Sequence, residues 1–403
     1  MCTSNSTIKS VLNGTLEEQR ELQRRWNKTV GAVVAGWILL GVVLNALTLC
    51  GIGVPRWNRI HAFTVGTLMT AVVAYSWHFT LTLTRAPSAG YRRLITILVI
   101  LHGSLLVLML QPEWNSASAF AALWAATLML WNALSLAAVV RRAFINQLAA
   151  TAWGYVLSFL LIVFAIALAM YAPYSGSFVN VIAAHSRTAV WGFAWLTVLS
   201  TVVTFLPTVT GARVSFVARD RCPEMLVAHA AAVTLAAIML ASGHYRVAGG
   251  IMMVGVAASV SIVQPTLAEL AQARKPLVAA PAFVSGGMLW LLGAFAGDAI
   301  SLVTGYGPGS MNTSFIVAVV GAGILQLITG ALCHLLPVLS GKASLSGHLD
   351  RALLPRLAMV NAGGLVALLI SPIVGGGAIA IAVLWQLFLL LRLIRSSSME
   401  ANP

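Results

Sequence analysis

The stretch TSFIVAVVGAGILQLITGALCHLL, from Thr313 to Leu336, decides the fold class. It holds 24 consecutive residues without an Asp, Glu, Lys or Arg. As a helix rising 1.5 Å per residue it is about 36 Å long, enough to cross a hydrocarbon core about 30 Å thick. Comparable runs recur along nearly the whole chain of 403 residues, of which 59% are hydrophobic and 8% charged; the mean hydropathy is +0.91. Soluble domains carry about 25% charged residues, so a soluble globular fold is excluded. The sequence predicts an all-α, polytopic membrane helix bundle with the lipid bilayer as its first partner.

Outward from that segment, twelve spans are predicted. They are Val30 to Ile52, His61 to Leu83, Leu94 to Leu110, Ala117 to Val140, Leu148 to Tyr171, Thr188 to Pro207, Met225 to Ala241, Val247 to Val263, Leu277 to Gly297, Thr313 to Leu336, Leu357 to Pro372 and Ile373 to Leu391. The last pair is short enough to form a single re-entrant hairpin instead. Basic residues in short loops are retained in the cytoplasm. With the N-terminus inside, 20 of the 24 Lys and Arg fall on the cytoplasmic side, and Arg56, Arg59, Arg187 and Arg246 fall outside. One missed helix would invert every later loop, so this asymmetry predicts twelve spans with both ends inside. The same placement accounts for the net charge of +14 without a nucleic-acid partner.

Residues 1–29 are polar, so no signal-peptide core precedes the first span and no cleavage is expected. Thr15 and Glu18 have the form of a capping box, which predicts an amphipathic cytoplasmic helix start there and a segment lying along the membrane surface through Lys28. The transmembrane domain is assigned to 30–395, with a short polar tail at 396–403. Four scattered cysteines, Cys2, Cys50, Cys222 and Cys333, give no metal or disulfide spacing. Glycine pairs such as Gly286-Gly287 and Gly363-Gly364 are read as close helix contacts. Trp57, Trp77 and Trp114, near span ends, are read as an interfacial belt.

A weak internal repeat marks the cytoplasmic ends of spans 2, 6 and 10. His78-Phe-Thr-Leu-Thr-Leu-Thr84 aligns with Thr204-Phe-Leu-Pro-Thr-Val-Thr210, and that with His334-Leu-Leu-Pro-Val-Leu-Ser340, at offsets of 126 and 130. The spacing of four helices suggests a pseudo-threefold repeat.

No Asp, Glu, Lys or Arg lies within the span boundaries above, which weighs against an ion-coupled transporter, since those keep a charge in the membrane. Attention passes to the eight histidines, which as neutral imidazoles ligate metals. His61 and His185 stand at the outer mouths of spans 2 and 6. His78 and His334 stand near the inner ends of spans 2 and 10, and His229 about one turn into span 7. His61 and His78 are 17 residues apart, roughly 25 Å along the helix, so they cannot share an ion. The candidate cofactor ligands are therefore an inner pair, His78 and His334, and an outer pair, His61 and His185; His61, His185 and His229 are candidate metal ligands. Equal depth makes the inner pair attractive for haem iron held from both faces. His102 and His229 also suit core positions bonded to Ser, Thr or Asn. Asp298 and Tyr306 are placed in the outer loop after span 9.

Several strings together bring a family into view: Arg59-Ile-His61, Trp77-His78-Phe79, Trp195 through Thr210, Gly330-Ala-Leu-Cys-His334-Leu-Leu-Pro337 and Arg356-Leu-Ala-Met-Val-Asn361-Ala-Gly. With twelve spans, an inside N-terminus, histidines on spans 2, 6 and 10 and a repeat spaced by four helices, the chain resembles subunit I of haem-copper oxidases and the NnrS membrane haem-copper proteins. It is similar, from about Trp26 onward, to the membrane region fused ahead of some bacterial copper nitrite reductases. The resemblance implies a bacterial inner-membrane protein with haem, with or without copper, acting in electron transfer, nitrogen-oxide metabolism or nitrosative stress.

The departures are specific. An oxidase carries an HxH pair on span 10 and adjacent histidines after span 6, and neither is here, so proton-pumping oxygen reduction is not implied. No cupredoxin domain follows Pro403, so nitrite reduction is expected on a separate copper nitrite reductase, with a cytochrome as another candidate partner. Rival readings are a permease lined by Asn45, Asn132, Gln326 and Asn361, and a cofactor-free membrane scaffold for a respiratory partner.

Overall fold

The computed structural model describes residues 4–86, 91–111, 113–143, 148–341 and 343–399; side chains at 4–20, 91–92, 343–345 and 394–399 are outside the description. Helices account for every regular element among the described residues. We number them α1 (Ser4–Leu49), α2 (Arg56–Thr84), α3 (Tyr91–Leu110), α4 (Ser116–Arg142), α5 (Ala149–Tyr174), α6 (Phe178–Thr210), α7 (Phe216–Ala241), α8 (Tyr245–Ala273), α9 (Ala279–Val303), α10 (Thr313–Leu339), α11 (Leu353–Leu369) and α12 (Pro372–Met399). Eleven are long and apolar enough to cross a membrane, and α11 is a shorter apolar helix of 17 residues. The chain is thus a multi-pass membrane protein. In hydrocarbon every backbone amide must find its partner inside its own segment, and helices meet that demand.

Starts and stops follow local chemistry. Asn115, Ser215 and Asn312 each accept a backbone amide of the first turn, capping α4, α7 and α10, at about 1 kcal/mol apiece. The glycines Gly211 and Gly341 follow α6 and α10 with φ of 66° and 72°, the left-handed termination that glycine permits. Arg85 takes the same conformation after α2, with φ 53°.

One expectation at the start of the chain needs correction. α1 is one unbroken helix from Ser4 to Leu49, so Thr15 is interior to it rather than a cap, and the segment before Val30 continues the helix of the first span. At the other end α11 has 17 residues and α12 has 28.

Spans α2, α6 and α10 are set apart in two ways. Within each, 72% of the 18 most apolar consecutive residues are buried inside the protein, whereas no other long helix exceeds 56%. These three are the central helices. Each also contains an eight-residue π-helical segment: Ala62–Met69, Thr188–Trp195 and Ala318–Leu325. The segments begin 126 and then 130 positions apart, the offsets of the sequence repeat, and so do the left-handed terminators Arg85, Gly211 and Gly341. π turns are rare and redirect backbone carbonyls.

Packing between central and outer helices relies on missing side chains. A Cβ on Gly66 would run into the Trp37 indole, and one on Gly287 would lie 2.7 Å from the Gly323 carbonyl oxygen and 2.8 Å from the Leu327 nitrogen. α9 and α10 therefore touch backbone to backbone, as small residues allow in membranes. Gly287→Val should force them apart and cost about 1–3 kcal/mol, seen as a lowered thermal unfolding midpoint in detergent. Gly293→Val, at a position with nothing within 4 Å, should leave the midpoint within experimental error.

Candidate functional site

His61 ends the first α-helical turns of α2, immediately ahead of the π segment, and His185 lies three residues ahead of the π segment of α6. Their ring centroids are 6.5 Å apart and their planes within 16° of parallel. Trp57, one turn before His61, stacks on it at 4.0 Å and 9°. The Nδ1 of His61 lies 2.9 Å from the Trp57 carbonyl oxygen, and the Nδ1 of His185 lies 2.8 Å from that of Ala165 on α5. A carbonyl can only accept, so each Nδ1 carries the proton and donates. In a neutral ring the Nε2 lone pair is then left for another partner. A carbonyl on one nitrogen is also the usual means by which a metal-binding imidazole is oriented.

Among the described residues no group of three or more His, Cys, Asp or Glu could hold a metal ion. A structural zinc site takes four protein ligands, and this pair supplies two. Two imidazoles do suffice for a haem iron, whose macrocycle provides the remaining nitrogens, or for copper in its softer, low-coordinate state. With metal–nitrogen bonds of about 2.0 Å, two rings gripping one ion have centroids about 6 Å apart, close to the 6.5 Å found here.

The inner pair is arranged differently. His78 and His334 are both half-buried, and the path of ring contacts between them runs through Phe79 and Phe205 in three steps of 5.8 Å. The structure does not bring these two imidazoles into contact. His229, fully buried, places Nε2 2.9 Å from the Trp191 carbonyl, and Nδ1 3.1 Å from the Gly255 carbonyl and 3.2 Å from the Ser259 hydroxyl. Both of its nitrogens are thus occupied by the protein. The carbonyl it meets belongs to the π segment of α6. His102 bonds the Thr70 hydroxyl at 2.8 Å, and His244 is exposed.

At the same end of the bundle the charge pattern departs from expectation. Asp298 is inside α9, not in the following loop, and is 1% exposed; Arg187 on α6 is 2% exposed. Their side chains form an ion pair at 2.7 Å. The second carboxylate oxygen accepts the Trp191 indole N–H at 2.9 Å, and the Ser310 hydroxyl lies 2.6 Å from the guanidinium and 3.2 Å from the carboxylate. α6 begins ten residues before the hydropathy boundary at Thr188 and α9 ends six residues after that at Gly297, so the helices carry both charges inside. The pair is two residues along the chain from His185. Its sequence signal was the spacing of Arg187 and Trp191, one helical turn apart on one face. Elsewhere Arg356, fully buried, donates to the carbonyls of Leu349, Arg351 and Ala352, and Arg93 lies 3.9 Å over the Trp77 ring.

Two of the four amides considered for a permeation path, Gln326 and Asn361, both lie beside Gly286 of α9. Asn45 donates to the Gly41 carbonyl of its own helix, Asn132 accepts from Arg93, and Asn361 accepts from the Trp290 indole. Gln326 is buried and without a hydrogen-bond partner.

No protein-family model matches this sequence, and no curated protein matches it.

The buried ion pair gives a direct test of what holds this end together. Asp298→Ala leaves a guanidinium uncompensated in an apolar interior and should cost about 3–5 kcal/mol, measured as a fall in the thermal unfolding midpoint. Replacing both partners, Arg187→Met with Asp298→Leu, should restore most of that loss, because the desolvated charge is gone.

Proposed function

We propose that the protein is a redox carrier of the inner membrane in which His61 and His185 hold an imidazole-ligated metal, haem iron or copper, at the outer end of the second and sixth spans. The observation that carries the proposal is the pair itself: two near-parallel rings 6.5 Å apart, each fixed through Nδ1 by a carbonyl. Either metal would supply one-electron exchange at that position. The chain's own residues do the rest. Trp57 covers one face of His61, the Ala165 carbonyl fixes the His185 tautomer, and the neutralised Arg187–Asp298 pair holds α6 against α9. The inner pair stays outside the proposal because the ring contacts that link His78 to His334 pass through Phe79 and Phe205.

The architecture we propose is three four-helix units, α1–α4, α5–α8 and α9–α12, related by a pseudo-threefold axis, with both termini in the cytoplasm. Its support is the common offset of the repeat strings, the π segments and the left-handed terminators, together with the distribution of Lys and Arg. Nitrogen oxides as substrate class, and a separate copper nitrite reductase or cytochrome as partner, rest on the resemblance to haem-copper and NnrS membrane proteins.

Protein purified from cells replete in haem and copper should contain close to one iron or copper per chain. A Soret band of bis-imidazole character would identify haem, and copper without a Soret band would identify the alternative. His61→Ala and His185→Ala should each abolish binding or leave a five-coordinate spectrum, while His78→Ala should retain the metal. A metal-free, colourless wild-type preparation would sink the proposal.

Orientation has its own readout. Cys50 is exposed after α1, whereas Cys222 and Cys333 are buried. A membrane-impermeant maleimide applied to intact cells should label Cys50, with the signal lost in Cys50→Ser. Labelling that survives this substitution and disappears in Cys2→Ser would reverse the topology.

A further inference from the structure

The basic end of α2, α3 and α4 carries five arginines, Arg85, Arg92, Arg93, Arg141 and Arg142. No carboxylate accompanies them. From Leu22 to Pro112 the sequence holds no Asp or Glu, and Glu113 follows α3 at the opposite end of these helices. Retention of basic residues on one side of a membrane requires only that they be charged, and it places no demand on where their side chains go. Arg85, Arg141 and Arg142 are exposed, as that rule alone would leave them. Arg93 is not.

Arg93 is half-buried and held between its neighbours. Its guanidinium lies 3.9 Å over the buried Trp77 ring of α2 and 5.7 Å from the Trp131 ring of α4, and it donates to the Asn132 side-chain oxygen at 3.1 Å. Trp131 is 43% exposed, so this frame opens on the outer surface of α4, which faces lipid. The ion pairs among the described residues are Arg25–Glu21, Arg187–Asp298 and Arg219–Asp220, and Arg93 belongs to none of them. A ring face and an amide oxygen attract a cation without neutralising it. The helix adds to the imbalance: Arg92 and Arg93 occupy the first turn of α3, the positive end of its dipole, with no acidic residue there. A charge withdrawn from water is ordinarily paired, and here the counter-ion has to come from outside the chain.

We infer that Arg93, in its frame of Trp77, Trp131 and Asn132, binds the phosphate of an acidic phospholipid whose acyl chains run along the exposed side of α4. A guanidinium presents a planar fork that matches two phosphate oxygens, and indoles such as Trp131 favour the headgroup level of a bilayer. The arginines around it draw acidic lipids in preference to zwitterionic ones. A lipid also suits the position better than a free phosphate, because its chains hold the anion at the membrane surface without stripping it from bulk water. The site is independent of the metal proposal: His61 lies at the other end of α2, and none of the residues that frame Arg93 is a candidate ligand.

The test uses the full chain, delipidated in detergent and offered phosphatidylglycerol and phosphatidylcholine with the same acyl chains, with bound lipid counted by native mass spectrometry. The wild type should retain phosphatidylglycerol in clear preference. Arg93→Gln should lower that preference about fivefold, the contribution of one basic residue at an anionic surface. Arg93→Lys keeps the charge without the planar fork and should fall between the two. Trp131→Leu, on the exposed side of α4, should lower the preference as well, and Arg219→Gln, whose charge is already paired with Asp220, should leave it unchanged. A wild type that does not distinguish the two lipids overturns the site, and so does a preference equal in wild type and Arg93→Gln. Should Arg93→Gln fail to fold, an unchanged preference in Trp131→Leu overturns it instead. Displacement of the lipid by millimolar inorganic phosphate would make free phosphate the occupant and overturn the assignment to lipid.

Discussion

Backbone amides and carbonyls in hydrocarbon have no water to turn to, and this constraint governs everything else in the molecule. Each span satisfies it internally, which is why every regular element among the described residues of so apolar a chain is helical. Against that background the π segments of α2, α6 and α10 are informative. A π turn loosens the ordinary ladder and redirects carbonyls, which would be costly facing lipid. All three occur in the three most enclosed helices, and in α6 the Trp191 carbonyl receives the buried His229 ring. Irregular backbone is placed where the protein itself can provide partners.

The same rule explains where polarity collects. Arg187 and Asp298 are tolerable because each neutralises the other and Trp191 and Ser310 add further hydrogen bonds. Continuum reasoning makes such a pair a weak source of net stability but a strong penalty when halved. Its role is therefore positional: it fixes α6 to α9 within one turn of His185, and limits how far that imidazole can move relative to His61. Trp57 performs a similar task from within α2 by stacking on the ring it precedes.

Much of this was legible in the sequence. Span positions followed from uninterrupted apolar length, and the repeat offsets found in strings at His78, Thr204 and His334 proved to be those of the π segments. The bundle's interior was less legible. Hydropathy boundaries cut α6 at Thr188 and α9 at Gly297, each within one residue of a charge, so Arg187 and Asp298 were assigned to solvent although both are buried. A boundary drawn on apolarity must exclude a neutralised pair, because neither member reveals its partner 111 residues away. Depth along a helix also said nothing about azimuth. His78 and His334 are well matched in depth, yet the ring contacts linking them pass through Phe79 and Phe205, while His61 and His185, less conspicuous in sequence, have rings that meet.

Azimuth is where the repeat matters most. The positions of α2, α6 and α10 that face one another stand at offsets of 126 and 130, so residues there meet their own counterparts. Large side chains at every position would collide, and small ones would leave a wide pore. The sequence takes a middle course, with Phe79 and Phe205 closing one end, and Ala71 and Ala331 leaving room above them. Departures from symmetry then carry the chemistry. Tyr75, Thr201 and Ala331 occupy one equivalent position with three different capacities: a hydroxyl without a partner, a hydroxyl already bonded to Tyr155, and a methyl group. A strictly repeated axis would be either uniformly polar or uniformly apolar. The same unevenness recurs at Ala71, Thr197 and Leu327, so the three helices share equivalent positions without sharing equivalent chemistry.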